Sequence, residues 1–241
     1  MIQVVFFDAG NTLLQAHPPV QQRYSQTAAC FGVTAEPGEI LGRFRTLWPA
    51  CQEERQQRLF KADREGTKAF WHDFVARVFA PWMSDFTDFD GFFNDLYLAF
   101  ARQDAWRLYD DVPETLAGLK AAGCGLAVVS NWDHRLEGIL QSLDISRYFD
   151  AIIISALVGV EKPVPRIFHL ALSRFPGVNA RDVLHVGDSM HDDVRGALAA
   201  GLQAAHIRRH DAAPAPLTPD PITPCLHLDS LRDLLPLVAG K

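Results

Sequence analysis

A chain of 241 residues, 48% hydrophobic and 22% charged, is long and apolar enough to bury a sizeable core, which excludes a disordered protein. Its 23 basic and 29 acidic residues leave a formal net charge of −6. That sign disfavours attraction to nucleic acid or anionic lipid and favours a small-molecule substrate.

The chain opens on Val4-Val5-Phe6-Phe7-Asp8 with no basic leader and no cleavage-site pattern, so no secretory signal is expected. No apolar run approaches the roughly 20 residues that span a bilayer. Ile2 to Phe7 reads as a first strand. From Leu14 to about Leu108 the text turns helical without a clear strand, and 11 of the 16 Phe and four of the five Trp fall there. Spacings such as Phe70, Phe74 and Trp71, Val75, Val78 predict helix packed on helix, in a second domain inserted after the first strand.

Apolar strands then recur between helices. Strands are expected at Gly125 to Val129, Ile152 to Ile154, Val183 to Val186 and Ala204 to Ile207, with helices at about 113–122, 133–142, 164–174 and 191–200. Pro113 suits a first helical turn, and Gly123 and Gly201 suit helix ends. This alternation is the rhythm of a parallel sheet covered by crossover helices. The proline-rich stretch Ala212 to Pro224 reads as a surface loop, Leu226-His227-Leu228 as a further strand, and Ser230 as the cap of a last helix. Cys30, Cys51, Cys124 and Cys225 are far apart and form no CxxC pair; they read as incidental thiols of a cytoplasmic protein.

Four positions carry chemistry. Asp8 ends the first strand, and in an open parallel sheet the carboxyl ends of the strands border the ligand crevice. The next strand ends in Ser130-Asn131, the one after exposes Lys162, and the fourth ends in Gly187-Asp188 with Asp192 and Asp193 beyond. Each alone reads as turn chemistry, a helix cap, a solvated charge or an acidic first turn. Together, each at the end of an expected strand, they bring an acid, a hydroxyl, an ammonium and an acidic cluster to one rim. Asp8 and Asp188 suit Mg2+, Lys162 can pair with Asp8 and with the transferring group, and Ser130 can donate to a phosphate oxygen.

This set resembles the four motifs of the haloacid dehalogenase-like superfamily over about 1–15 and 108–210: Asp8, then Ser130, then Lys162, then Gly187-Asp188. The runs Val129-Ser130-Asn131-Trp132-Asp133, Glu161-Lys162-Pro163 and His185-Val186-Gly187-Asp188-Ser189 are similar to the subfamily with a helical cap after the first motif, and in particular to the haloacid dehalogenase-like hydrolase domain-containing proteins. The resemblance implies an α/β fold with a Rossmann-like parallel-sheet core, 1–15 and 108–241, and an inserted all-helical cap, 16–107. It implies a covalent aspartyl intermediate at Asp8, catalytic roles for Ser130 and Lys162, and substrate contacts from Asn11, Ser130, Asn131 and Lys162. It also implies Mg2+ held by Asp8, the Gly10 carbonyl, Asp188 and, by spacing, Asp193 in place of Asp192. Gly10 departs from the phosphatase pattern, in which a second Asp two residues after the nucleophile protonates the leaving group. His17 and His191 are the nearest titratable candidates to replace it.

Three functions are compatible with these residues. The first is a Mg2+-dependent phosphatase acting on a small organic phosphate, as a monomer or homodimer with no nucleic-acid or membrane partner. The second is a 2-haloacid dehalogenase using the same Asp8, for which halide needs no proton and Arg43 or Arg45 could hold the substrate carboxylate. The third is a catalytically silent member that binds a phosphorylated ligand or a protein.

Overall fold

The structure, a computed structural model, describes residues 1–57, 64–209 and 224–238. The chain forms two compact units, Met1–Gln15 with Leu108–Lys241, and Ala16–Arg107. The expected loop at 212–224 falls, except for Pro224, outside the described residues.

The strands are β1 (Val4–Phe7), β2 (Leu14–Ala16), β3 (Trp106–Leu108), β4 (Gly125–Ser130), β5 (Ala151–Ile154), β6 (Val183–Gly187), β7 (Gln203–Ile207) and β8 (Leu226–Leu228). Six of them make a parallel sheet in the order β5-β4-β1-β6-β7-β8. β1 lies at its centre because Val4, Val5, Phe6 and Phe7 are apolar on both faces and all buried. On one face Val4, Phe6, Ala127, Val129 and Val183 pack against Ile167, Phe168, Ala171, Val194 and Ala197. The alternate side chains, Val5, Phe7, Leu126 and Val128, are equally buried on the other face.

Parallel pairing puts every strand's carboxyl end on the same rim. Phe7 pairs with Val128 on one side and Val186 on the other, so the next residues out are Asp8, Val129-Ser130 and Gly187-Asp188. The expected 191–200 helix is instead two pieces, a π-helix over Met190–Arg195 and an α-helical turn over Gly196–Ala199. The widened turn is real in its hydrogen bonding, since the Val194 amide reaches the Ser189 carbonyl five residues back. Lys162 is also placed differently from expectation. It follows β5 only after the turn of helix Ser155–Val158 and the left-handed Gly159, and it is buried, not exposed.

The second unit holds helices Val20–Ala29, Pro37–Gln57, Arg64–Phe79 and Phe89–Ala99. Its core is aromatic: Phe44 meets Phe74 edge-on at 4.7 Å, Trp48 stacks on Trp71 at 5.6 Å, and Phe79 meets Phe92 at 5.0 Å. Arg43 donates to the carbonyls of Arg77 and Val78, closing the end of helix Arg64–Phe79. The strandless reading of this stretch misses β2 and β3, which pair as a separate two-stranded sheet; three-residue strands carry no periodicity to read.

The end of the described chain is tied back to the first strand's turn. Arg209 donates twice to the Thr12 carbonyl, at 2.6 and 3.2 Å, and once to Asp111 Oδ2 at 2.7 Å, with its guanidinium 4.0 Å over the Tyr109 ring. The same Asp111 oxygen accepts from the Leu231 amide and the Ser230 hydroxyl, and Ser230 forms a capping box with Asp233. Burial alone would raise the Asp111 pKa, but these donors, Arg209 foremost, hold it below the usual carboxylate range. Replacing Arg209 by Met strands this buried carboxylate, so thermal unfolding should show a loss of about 3–5 kcal/mol, a Tm drop of roughly 6–20 °C. Asp111→Asn, which keeps an acceptor, should lose less.

Candidate active site

Asp8 continues the β1 ladder through its amide, which donates to the Val186 carbonyl at 2.9 Å, and its side chain turns into the rim. Asp8 Oδ1 accepts from the Ser130 hydroxyl at 2.9 Å and from Lys162 Nζ at 2.7 Å. The Lys162 ammonium also donates to Asp193 Oδ1, which further bonds His185 Nε2 at 2.9 Å; Asp193 Oδ2 accepts the Ser189 amide at 3.0 Å. One carboxylate oxygen from each of Asp8, Asp188 and Asp193 can be chosen so that all lie within 4.8 Å of one another. Residues far apart in sequence therefore bring one hydroxyl, one ammonium and three carboxylates together at the rim, all buried except the half-buried Asp188.

Local structure explains each placement. Asn131 clamps the Lys162 backbone with both ends of its amide, donating to the Lys162 carbonyl at 2.9 Å and accepting the Lys162 amide at 2.7 Å. Its polar atoms hold the lysine, so the structure gives it a positioning contact where sequence suggested substrate. Asn11 takes a left-handed conformation, and its side chain opposes the rise of the Asp188 pKa. Gly187 is required by Asp193, because a Cβ at Gly187 would lie only 2.1 Å from Asp193 Cγ. His206 Nε2 lies 2.9 Å from the Asp188 carbonyl and anchors that end of the rim from β7.

The charges do not cancel. Burial, with repulsion from Asp193, raises the Asp8 pKa despite Lys162 and Ser130. Asp188 goes well above the usual range, first through burial and then through repulsion by Asp8 and Asp193. Burial would also raise Asp193, but Lys162 and His185 outweigh it and keep Asp193 ionised. Lys162 is held above its usual value by Asp193 and Asp8, against the desolvation that would lower it, and burial keeps His185 neutral. A pocket with one ammonium and three carboxylates, in which one carboxylate resists ionising, fits a hard divalent cation on its oxygens.

Of the ambiguous pair at the fourth strand, Asp193 joins the cluster, while Asp192 pairs with His191 at 2.7 Å. His191 and His17 are both exposed. Arg43 spends its donors on helix carbonyls, and Arg45 is exposed. Sequence reasoning passed over two residues. His185 is fully buried beneath Asp193, and its signal was a lone imidazole inside the apolar Val183-Leu184-His185-Val186 run. Trp132 stands against Gly10: a Cβ on that glycine would lie 3.2 Å from Trp132 Cζ3. Nothing in the local sequence pairs positions 10 and 132.

Among the described residues no helix is long and apolar enough to cross a membrane. A profile of the haloacid dehalogenase-like hydrolases matches residues 2–201. The chain is 31% identical to haloacid dehalogenase-like hydrolase domain-containing protein 3 of Bos taurus over 98% of its own length and 93% of the relative's. It is 34% identical to the glyceraldehyde 3-phosphate phosphatase of Methanopyrus kandleri over 54% of this chain and 56% of that one. A crystal structure of a dehalogenase superposes with a TM-score of 0.75 at 25% identity, covering 100% of this chain and 98% of that one. The chain belongs to the haloacid dehalogenase-like hydrolase family.

Proposed function

We propose that the protein is a Mg2+-dependent phosphatase of small organic phosphates, with Asp8 as nucleophile and the helical unit 16–107 as a cap that selects the substrate. The observation that carries this reading is the excess of negative charge around Asp8: three clustered carboxylates against one ammonium. Asp8, Asp188 and the Gly10 carbonyl would hold the cation, with Asp193 adding its charge from the adjoining position. A cation held there would supply charge neutralisation to the phosphoryl oxygens. The phosphatase relative supports the same direction.

The protein's own groups perform the remaining work. Lys162 holds one oxygen of Asp8, which leaves Oδ2 as the attacking atom, and keeps a positive charge where the phosphoryl group arrives. Ser130 fixes the same Oδ1 and can turn its hydroxyl to a phosphoryl oxygen. Attack forms the Asp8–phosphorus bond and breaks the bond to the leaving oxygen; water then hydrolyses the aspartyl phosphate and restores the carboxylate.

A second reading, 2-haloacid dehalogenase, is favoured by Gly10 and by the dehalogenase neighbour. There Asp8 attacks carbon and halide departs without a proton. Against it, Arg43 is committed to the carbonyls of its own unit, and a cluster of three carboxylates with one ammonium disfavours a substrate carboxylate.

Purified protein with Mg2+ should release phosphate from organic phosphates and no chloride from 2-chloropropionate; the reverse would establish the second reading. Asp8→Asn should lose at least about 10³-fold in kcat, since a carboxamide cannot form the acyl phosphate.

Metal binding should also be visible without turnover. Asp188 has its folded pKa raised above the unfolded value, so the metal-free protein binds that proton more tightly when folded and loses stability as pH rises through the raised value. The Tm gain from millimolar Mg2+ should therefore be greater at pH 8 than at pH 5, roughly 5–11 °C for 100-fold saturation. Asp188→Asn should be at least as stable as the metal-free parent at pH 8 and show no Mg2+-dependent gain. Persistence of that gain in the variant would place the cation elsewhere.

A further inference from the structure

His185 is the one polar side chain of β6, set among Val183, Leu184 and Val186, and it lies wholly inside the core. Its ring meets Phe168 of helix Pro165–Leu172 edge-on at 5.0 Å, and its Nδ1 is buried with no hydrogen-bond partner among the described residues. An unpaired polar atom in a core costs stability, so packing alone favours an apolar residue at this position. The other ring nitrogen accounts for the imidazole. Nε2 lies 2.9 Å from Asp193 Oδ1. An ionised carboxylate only accepts, so Nε2 carries the hydrogen and Nδ1 is the bare acceptor left in the core.

Two successive residues of β6 thereby fix the two carboxylates that Lys162 spans. The Val186 carbonyl accepts the Asp8 amide at 2.9 Å, and His185 donates to Asp193. Asp193 Oδ2 also accepts the Ser189 amide at 3.0 Å, so this carboxylate is held at both oxygens independently of the lysine. Lys162 carries its ammonium on a flexible four-carbon stem, and the place of that charge is set by the two anions it bonds. Those anions are not equal through the reaction. Once Asp8 carries a phosphoryl group it has lost its negative charge, and of the two only Asp193 still attracts the ammonium as an ion.

We propose that His185 is a positioning residue for this chemistry: by pinning Asp193 to β6 it keeps the Lys162 ammonium beside Asp8 both before and after the phosphoryl group is taken up. The inference rests on the reading of Asp8 as the nucleophile of a phosphatase. His185 acts through Asp193, and a misplacement of about 1 Å at a reacting centre can cost about 10²-fold in rate. Its loss should therefore slow turnover more than it weakens substrate binding.

Two substitutions separate this role from support of the core. His185→Phe keeps a ring against Phe168 and removes the N–H, whereas His185→Gln gives up the ring and keeps an N–H donor of similar reach. With Mg2+ and 4-nitrophenyl phosphate, His185→Phe should lower kcat by about 10- to 100-fold and change KM by less than about threefold, and His185→Gln should recover at least about a third of the parent kcat. Thermal unfolding checks that both variants fold. Should His185→Phe not fold, His185→Asn, polar but too short to reach Asp193, takes its place with the same expected loss. NMR of the ring nitrogens in the parent should show hydrogen on Nε2 and none on Nδ1. A folded His185→Phe or His185→Asn with the parent kcat, a loss that His185→Gln does not recover, or hydrogen on Nδ1 would overturn the inference while leaving Asp8 as nucleophile. A parent protein that releases phosphate from neither 4-nitrophenyl phosphate nor acetyl phosphate would remove the phosphatase reading and the positioning role with it.

Discussion

A single buried ammonium organises this protein's rim. Lys162 is the group that touches both Asp8 and Asp193, and it does so where little solvent screens the interaction. Two carboxylates sharing one cation can be ionised in the interior only if the lysine is held between them, and the structure spends unusual care on holding it. Asn131 fixes the lysine backbone from β4, the left-handed Gly159 turns the chain toward it, and Gly196 lets the following helix approach Pro163, where a Cβ would come within 2.9 Å of backbone. The sheet supplies the rim; the lysine makes the rim a site.

The same accounting explains residues with no chemistry of their own. Asp193 reaches the lysine because the π-turn advances it and because Gly187 leaves room for its carboxylate. Neutral His185 and the Ser189 amide then complete its hydrogen bonds from below, so its charge is satisfied within the protein. For Asp188 the help of Asn11 and Lys162 is outweighed by burial and by the neighbouring Asp8 and Asp193, and its carboxyl is driven toward the neutral form. The division of labour follows: one carboxylate is completed by the protein, and its neighbour awaits a cation.

The core of this arrangement was legible in sequence because strand ends are legible. The apolar runs at 4–7, 125–130, 183–187 and 203–207 alternate with helices, and a parallel sheet puts Asp8, Ser130 and Asp188 on one edge whatever the loops do. Lys162 was found by motif but misplaced by pattern, since its position depends on one helical turn and a glycine between strand and lysine. The role of Asn131 and the burial of His185 stayed hidden for a common reason. Asn131 meets Lys162 31 residues away and His185 meets Asp193 on the next element, and a linear pattern of periodicity carries no record of either contact. Trp132 is the sharper case: its ring matters only because residue 10 is a glycine 122 positions earlier in the chain, and neither residue announces the other.

The glycine at position 10 also bears on the charge balance of the site. An Asp at position 10 would add a fourth carboxylate to a pocket whose one ammonium already serves two, and burial would penalise its charge as it does those of Asp8 and Asp188. An indole adds bulk and excludes water without adding charge. Excluding water strengthens the attraction of Lys162, and of any cation on Asp188, for a phosphoryl group, because the interaction energy scales inversely with the local dielectric.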